Sequence, residues 1–338
     1  MMKYYRNFEV ARAVEAASLD AMIEYLEQGF LANDMGEVIL PEKSSQIIDP
    51  ETQSRVNCMP CTAPGIGYSG VKLVSVFPNN AEAGKPNVSG MVLLLSSDDG
   101  SPLALLDAGY LTALRTALVG GIAAKYLAKA APERIGLLGS GVEALMHLFV
   151  MTRLFPSIRQ VAVSSRKRSS EERFALAAKR KFPQLDVTTC GGDYSLAAKE
   201  SDIIVTAISG QVPLLKADWC DPGAFYCHVG GIEDEYDVAL KADKIVCDSW
   251  GALKHRGSPT IAHMYRDGVL TDDMIYAELV DLISGRKKGR ESDSEFNYFN
   301  SIGMALVDIY ASAFLVGECD RMGLGLELST PDFDAFAS

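Results

Sequence analysis

The stretch "RIGLLGSGVEA", residues 134–144, carries the pattern that decides the fold. A short apolar run, typical of a buried strand, leads into Gly139-x-Gly141-x-x-Ala144, and a helical pattern follows. The glycines allow a tight turn and a close approach of a pyrophosphate to the backbone, and the alanine lets strand and helix pack closely. The N–H groups at the helix start would face the anion. The stretch predicts a dinucleotide-binding turn whose contacts come from Gly139, Ser140, Gly141, Val142, Glu143 and Ala144.

The sequence around this turn alternates between strand and helix patterns. Helical patterns at 142–155 and 169–182 lie between apolar runs. Alternating strands and helices are typical of a doubly wound parallel sheet with helices on both faces. We therefore predict a Rossmann-type α/β domain over residues 131–311. Its predicted strands are "RIGLLGS", "QVAVSSR", "LDVTTC", "DIIVTAIS", "AFYCHVG" and "KIVCDS".

The first third of the chain has a different organisation. Apolar residues at three- and four-residue intervals predict one helix over 10–31. A long helix is predicted from 107 to Pro132, and another apolar helix over 299–322 is expected to pack back on this region. We predict a second, α+β domain over 1–130 and 312–338 that binds substrate and forms dimers. Its predicted extended runs are 36–40, 54–60, 68–77 and 88–107.

The composition excludes several classes of protein. A net charge of −12 and a pI near 4.9 argue against a nucleic-acid surface. The sequence has no apolar run long enough to span a membrane and no signal-type N-terminus, so we expect a cytoplasmic protein. Of seven cysteines, only Cys58 and Cys61 form a CxxC pair, which we interpret as two reduced thiols. The four histidines show no ligand spacing, so no metal site is expected.

A basic stretch, "SSRKRSS", occupies residues 164–170 at the end of the second predicted strand. About twenty residues beyond the glycine pattern, NAD-binding proteins place an acid, whereas NADP-binding proteins place an arginine. Here the first acids, Glu171 and Glu172, come only in the next predicted helix. The stretch predicts NADP rather than NAD, and the alternative is a solvated loop of ordinary surface cations. The predicted contacts to the 2′-phosphate are Ser165, Arg166, Lys167 and Arg168.

Two cations lie on apolar faces. Strand alternation in "GVKLVSVF" places Lys72 with two valines, and the long helix places Arg115 on an apolar stripe. Lys and Arg are almost never fully buried without a partner. A bound carboxylate could be that partner, since arginine grips carboxylates through two parallel hydrogen bonds. The alternatives are an extension of each side chain to a nearby edge and an internal pair with an acid such as Asp107.

An ordered series of segments runs through most of the chain. The segments are "KLVSVFPNN", "SPLALLDAGYLTALRTALVGGIAAKYLA", "IGLLGSGVEA", "DIIVTAIS", "HVGG" and "SIGMALVDI". This series resembles the ornithine cyclodeaminase/mu-crystallin family. The resemblance runs from about Val38 to Ala313 and implies a nicotinamide-binding Rossmann domain joined to a sheet domain that binds substrate and forms homodimers. There is also a partial similarity to the N-(2-amino-2-carboxyethyl)-L-glutamate dehydrogenase of siderophore biosynthesis, which uses NAD.

The resemblance implies roles for individual residues. Lys72 matches the family's substrate lysine and Arg115 its carboxylate-binding arginine. Where cyclodeaminases have an aspartate after "VGG", this chain has Ile232, so Glu233 and Asp234 become candidate acid/base residues. Lys43 and Arg55 match further substrate-side positions. The cofactor-side positions implied by the resemblance are Ala207, Ser301, Gly303 and Met304.

Three functions are compatible with these residues. The first is an NADP-dependent amino-acid dehydrogenase or imine reductase that moves a hydride to or from the carbon of a C–N bond. Four cations at one pocket would favour a substrate with more than one carboxylate, such as an N-substituted dicarboxylic amino acid. The second is an ornithine-type cyclodeaminase, a lyase that keeps its NAD bound. The third is a non-catalytic protein that binds NADPH and a small ligand.

Overall fold

A computed structural model describes residues 2–208 and 212–329 of the chain, which forms two compact units. One unit contains Met1–Arg115 and Met304–Ser338, and the other contains Thr116–Gly303. Ser209, which ends the predicted strand "DIIVTAIS", lies outside the described residues, as do residues 330–338. The assignment of one unit to substrate and the other to the dinucleotide, with boundaries at 130/131 and 311/312, stays a prediction.

The described residues form strands and helices numbered here in chain order. The strands are β1 (Met2–Tyr5), β2 (Ser44–Asp49), β3 (Ser54–Ala63), β4 (Tyr68–Val76), β5 (Val88–Ser96), β6 (Pro102–Asp107), β7 (Arg134–Leu138), β8 (Gln160–Ser164), β9 (Asp186–Thr189), β10 (Ile203–Thr206), β11 (Phe225–His228), β12 (Lys244–Cys247), β13 (Ala277–Glu278), β14 (Asn297–Asn300) and β15 (Leu326–Leu328).

The α-helices of the described residues follow the same numbering. None of them is long and apolar enough to cross a bilayer. They are α1 (Asn7–Ala16), α2 (Leu19–Asp34), α3 (Ala108–Leu127), α4 (Val142–Leu154), α5 (Arg168–Lys181), α6 (Tyr194–Ala198), α7 (Tyr236–Lys241), α8 (Trp250–Leu253), α9 (Thr260–Arg266), α10 (Leu279–Ile283) and α11 (Ala305–Arg321).

The unit Thr116–Gly303 is built on an eight-stranded sheet in the order β13-β12-β14-β11-β10-β7-β8-β9. Every neighbouring pair is parallel. The strand order reverses at β7, which lies between β8 and β10, and ligands of such sheets bind at the carboxyl edge of this switch point. The predicted doubly wound α/β fold is confirmed. Strands β13 and β14 were not predicted from the sequence. Strand β14 is short and merges with the apolar pattern of α11, and β13 has only two residues.

The other unit contains a seven-stranded sheet in the order β15-β1-β6-β5-β4-β3-β2. Helix α11 packs on β3, β4 and β5, and α2 packs on α11. The apolar helix pattern near the C-terminus thus covers the sheet of this unit, as predicted. The face that it covers carries Lys72 of β4, which lies opposite Met59 of β3.

Three local predictions were wrong. The helix predicted over 10–31 is two helices, because Ser18 acts as an N-cap that accepts the N–H of Ala21 at 3.3 Å. No strand forms over 36–40, where Ile39 makes an isolated bridge to Thr62. Helix α3 ends at Leu127 rather than at Pro132. Its last carbonyl, that of Leu127, accepts from Arg290 Nε at 2.8 Å and Asn297 Nδ2 at 3.0 Å.

Close packing around β7 makes a prediction about stability. A Cβ added to Gly136 would overlap the carbonyl oxygen of Ala197 and lie 2.7 Å from Ser201 Oγ. We expect Gly136→Ala to lower the free energy of unfolding by about 3 kcal/mol, measured by urea unfolding, because backbone cannot move aside cheaply. The control is Gly251→Ala in α8, where an added Cβ meets nothing within 4 Å. Equal stabilities of the two variants would contradict this account of the packing.

Candidate active site

The glycine turn between β7 and α4 has the geometry of a phosphate cradle. Gly139 has φ of +118°, and a Cβ there would overlap the carbonyl oxygen of Ala207. A Cβ on Gly141, the N-cap of α4, would meet nothing within 4 Å. Ala144 is buried, whereas Val142 is exposed. The turn is therefore tight against the sheet and open where α4 begins, which fits the pyrophosphate of a dinucleotide.

The basic stretch lies beside this turn. Ser140 Oγ donates to Ser165 Oγ at 3.0 Å, which joins the loop after β7 to the loop after β8. Arg166, Lys167 and Arg168 are exposed. Arg168 pairs with Glu172 one helical turn along α5, at 3.3 Å. Arg166 and Lys167 precede the helix and are the two cations placed nearest to Ser165 in the chain.

The segment 301–303 is held by a buried acid that the sequence analysis missed. Asp248 accepts from Ser301 Oγ at 2.8 Å and from the N–H groups of Ile302 and Gly303 at 2.9 and 3.0 Å. Burial raises the pKa of Asp248, although these donors act in the opposite direction. Met304 follows as the N-cap of α11. Ala207 directly follows β10, and its N–H donates to Leu138 O at 2.8 Å.

Glu233 and Asp234, the candidate acid/base residues, are both buried. Glu233 accepts from Thr206 Oγ1 at 2.6 Å, from the N–H of Ile208 at 2.7 Å and from the N–H of Gly230 at 2.8 Å. These bonds tie the loop after β10 to the loop after β11. The contacts favour a bracing role for Glu233, because both of its oxygens already have donors.

Asp234 belongs to a buried network around His228. His228 Nε2 lies 2.8 Å from Gly231 O, a carbonyl that only accepts, so Nε2 carries a proton. His228 Nδ1 lies 2.8 Å from Asp234 Oδ1. Burial alone would favour the neutral ring, but the carboxylates of Asp234 and Glu233 raise the pKa of His228 to about 8. The hydroxyls of two tyrosines, Tyr226 and Tyr298, lie within 3.4 Å and 3.2 Å of Nδ1.

In the other unit, Lys72 and Arg115 meet on one carboxylate. Lys72 Nζ lies 2.6 Å from Asp308 Oδ1, and Arg115 Nε lies 3.0 Å from the same oxygen. Lys72 and Asp308 are 0% exposed. The internal partner of the two cations is thus Asp308 and not Asp107, which instead accepts from Tyr4 and from the N–H of Asn7. One carboxylate oxygen thus contacts both cations.

The two other predicted substrate cations are less deeply placed. Arg55 lies on β3, on the same face as Met59, and its Nη1 donates to Gln53 O at 2.8 Å. Burial lowers the pKa of Arg55. Lys43 is partly buried just before β2, the edge strand paired with β3.

The described residues contain no group of three or more His, Cys, Asp or Glu side chains that could hold a metal ion. All seven cysteines are free. Cys58 and Cys61 are three residues apart on β3, so they lie on opposite faces of the sheet and do not face each other.

A family model confirms the predicted resemblance. The model described as "Ornithine cyclodeaminase/mu-crystallin family" matches residues 6–320. The chain belongs to this family. Among its relatives in the family is the alanine dehydrogenase of Archaeoglobus fulgidus, 31% identical over 296 residues that cover 86% of this chain and 88% of the relative. The N-((2S)-2-amino-2-carboxyethyl)-L-glutamate dehydrogenase of Staphylococcus aureus is 27% identical to this chain, over a match that covers 91% of this chain and 92% of the relative.

Solved structures of the family have the same fold as this chain. The Δ1-pyrroline-2-carboxylate reductase of Thermococcus litoralis, in complex with NADH and L-proline, is 27% identical with a TM-score of 0.88, covering 97% of this chain and 100% of that structure. An archaeal alanine dehydrogenase dimer with bound NAD is also 27% identical, with a TM-score of 0.86 and coverage of 97% and 99%.

The His228 network makes a prediction about pH. Because its folded pKa of about 8 lies above the ordinary value of 6.5, the charged ring stabilises the fold fully below pH 6.5. This contribution is lost as the pH rises through 8 and amounts to about 2 kcal/mol. We expect the free energy of unfolding, relative to that of His228→Gln, to fall by this amount between about pH 6 and about pH 9. A pH-independent difference between the two proteins would show that the fold does not raise the pKa of His228.

Proposed function

We propose that this chain is an NADP-dependent oxidoreductase that transfers a hydride to or from the carbon of a C–N bond in an amino acid, as an amino-acid dehydrogenase or imine reductase. The names of the relatives support this class, since they are dehydrogenases of amino acids and a reductase of a cyclic imine. The observation that carries the proposal is the buried cluster in which Lys72 and Arg115 share Asp308.

The charge of this cluster favours an anionic ligand. Burying a charge is costly unless it is paired, and Arg115 contacts a carboxylate oxygen that Lys72 also contacts. Arg115 Nε is the guanidinium nitrogen that lies 3.0 Å from Asp308, so we assign a second carboxylate to the Nη side of the guanidinium. We assign the α-carboxylate of the substrate to this position. This carboxylate would give Arg115 a partner that it does not share with Lys72.

Arg55 supports a second carboxylate on the substrate. Its guanidinium is partly buried with its pKa lowered, and a nearby anion would offset that cost. Lys43, before the adjacent strand, would add a further positive charge. A dicarboxylic, N-substituted amino acid is therefore the substrate class that we favour.

Lys72 is the residue to which we assign proton transfer. Bound nicotinamide supplies or accepts the hydride, and the chain must move one proton at the nitrogen. Lys72 Nζ, which lies 2.6 Å from Asp308 Oδ1, is the group that we expect to exchange this proton with the substrate nitrogen or a water. Glu233 and Asp234 stay alternatives for this role, but their existing bonds to backbone N–H groups and to His228 favour structural roles.

The preference for NADP rests on the loop after β8. Arg166 and Lys167 are exposed there, whereas the first acid, Glu171, is fully buried and bonded to backbone N–H groups. Arg166 would bind the 2′-phosphate through its planar fork, and Ser165 would donate a hydrogen bond. NAD is the alternative, since the similar structures hold NADH and NAD.

A homodimer and a cytoplasmic location complete the proposal. By strand alternation, Val71 and Leu73 of β4 point away from the face of Lys72, and Leu93 of β5 pairs with Val71. Leu73 is 50% exposed, so this second sheet face is apolar and accessible. The dimeric alanine dehydrogenase structure supports a homodimer. The free cysteines fit a reducing compartment.

Lys72→Met tests the cluster directly. The change leaves Arg115 and Asp308 as a balanced pair, so we expect the fold to keep its stability. Net reduction of NADP with a panel of amino acids should fall by about a hundred-fold or more in kcat/KM. The contrasting variant is Asp308→Asn, which removes the carboxylate that both buried cations contact and should lower the free energy of unfolding by about 3–5 kcal/mol. Full turnover by Lys72→Met would remove Lys72 from the chemistry.

Arg166→Ala tests the cofactor. Loss of a charge-assisted hydrogen bond should raise the Kd for NADP by about ten-fold or more and leave the Kd for NAD unchanged, as measured by calorimetric titration. The matched control is Arg173→Ala, which removes the same charge from an exposed position on α5, where Arg173 contacts Ser170. Wild-type protein that binds NAD as tightly as NADP would contradict the NADP assignment.

A further inference from the structure

The first acid after the basic stretch is fully buried. Glu171 lies in the first turn of α5 and is 0% exposed. Its Oε1 accepts from the N–H of Ser165 at 2.7 Å and the N–H of Gly192 at 2.9 Å. Its Oε2 accepts from the N–H of Gly191 at 2.7 Å. One carboxylate therefore satisfies three backbone donors.

These three donors belong to two different loops. Ser165 follows β8, and its hydroxyl is bonded to Ser140 of the glycine turn. Gly191 and Gly192 follow β9 with φ of +63° and +91°, so this loop has a backbone that favours glycine. Since β8 and β9 are parallel neighbours, both loops lie at the same edge of the sheet. Glu171 is a cross-link between two loops at the carboxyl edge where we place the cofactor.

A buried acid in this position has a cost for an anionic ligand. Its charge opposes the binding of a phosphate to the neighbouring cations, although the three N–H donors offset part of it. An acid needed only for solubility would lie exposed at the surface, whereas Glu171 is fully buried. The placement is explained if the carboxylate contributes geometry, because only an acceptor with two oxygens can hold three N–H groups from two loops.

We infer that Glu171 is a positioning residue for cofactor choice, an inference that rests on the proposed binding of NADP. In NAD-binding sheets an acid near this point reaches the ribose hydroxyls. Here the acid is used beneath the loop, where it fixes Ser165 and the backbone that carries Arg166. Burial raises the pKa of Tyr194, which starts α6 just after the bonded glycines, and the nearby charge of Arg166 acts in the opposite direction. Glu171 thereby sets the place of the groups that distinguish a 2′-phosphate from a 2′-hydroxyl.

The test compares Glu171→Gln with Glu172→Gln. Both changes remove one negative charge beside the same cations, but Glu172 is exposed and contacts only a side chain, Arg168, among its described bonds. Glutamine at 171 keeps one acceptor oxygen and places an NH2 group against a backbone donor. Relative to Glu172→Gln, we expect Glu171→Gln to raise the Kd for NADP about three- to ten-fold and to leave the Kd for NAD within two-fold. Kd values are measured by calorimetric titration.

Each outcome supports or overturns the inference. An equal rise in the Kd values for both cofactors would show that Glu171 is purely structural. A lower Kd for NADP in Glu171→Gln than in Glu172→Gln would show that the charge of Glu171 matters more than its positioning of the loop. Wild-type protein that prefers NAD would contradict the proposed cofactor. If the wild type prefers NADP but Glu171→Gln has the same ratio of the Kd for NADP to the Kd for NAD as Glu172→Gln, this inference alone is contradicted. If Glu171→Gln does not fold, the same ratio of the two Kd values is measured for Glu171→Asp. This variant keeps the charge but has a side chain one methylene shorter.

Discussion

A single buried carboxylate, shared by Lys72 and Arg115, fixes the arrangement of the unit that contains the seven-stranded sheet. A fully buried lysine needs an anion, so the sheet face that carries Lys72 can be covered only by a helix that brings one. Helix α11 does so through Asp308. Apolar contacts between helix and sheet have little directionality, whereas an ion pair at 2.6 Å allows one position of the helix along the strands.

Buried acids perform a related task in the other unit. Glu171, Glu233 and Asp248 each accept backbone N–H groups from loops at the carboxyl edge of the parallel sheet. Loop N–H groups have no strand partners and need acceptors, and carboxylates make the stronger bonds. The acids therefore shape the edge of the sheet from beneath. Cations such as Arg166 stay at the surface, where a ligand can reach them.

The sequence predicted the features that have local signatures. The turn from Gly139 to Ala144 follows from glycine geometry, and the parallel sheet follows from the alternation of patterns. The pair of Lys72 with Asp308 joins residues 236 positions apart, and nothing local marks Asp308 as its partner. Glu171 looks in sequence like any acid near the start of a surface helix, because burial depends on the loop after β9. The end of α3 was missed for the same reason, since its capping groups come from a distant segment.

Net charge and local charge have opposite effects on the proposed cofactor. A chain of net charge −12 repels an anionic dinucleotide, but that field is screened beyond about 8 Å at physiological ionic strength. In the proposed complex, recognition must then come from groups in contact, for which we propose the N–H groups at the start of α4 and the cations after β8. A dinucleotide with a 2′-phosphate carries more negative charge and loses more to the overall repulsion. In the proposed site, its selection would depend on how firmly Arg166 is placed, which is a property of the buried hydrogen bonds beneath the loop rather than of the net charge.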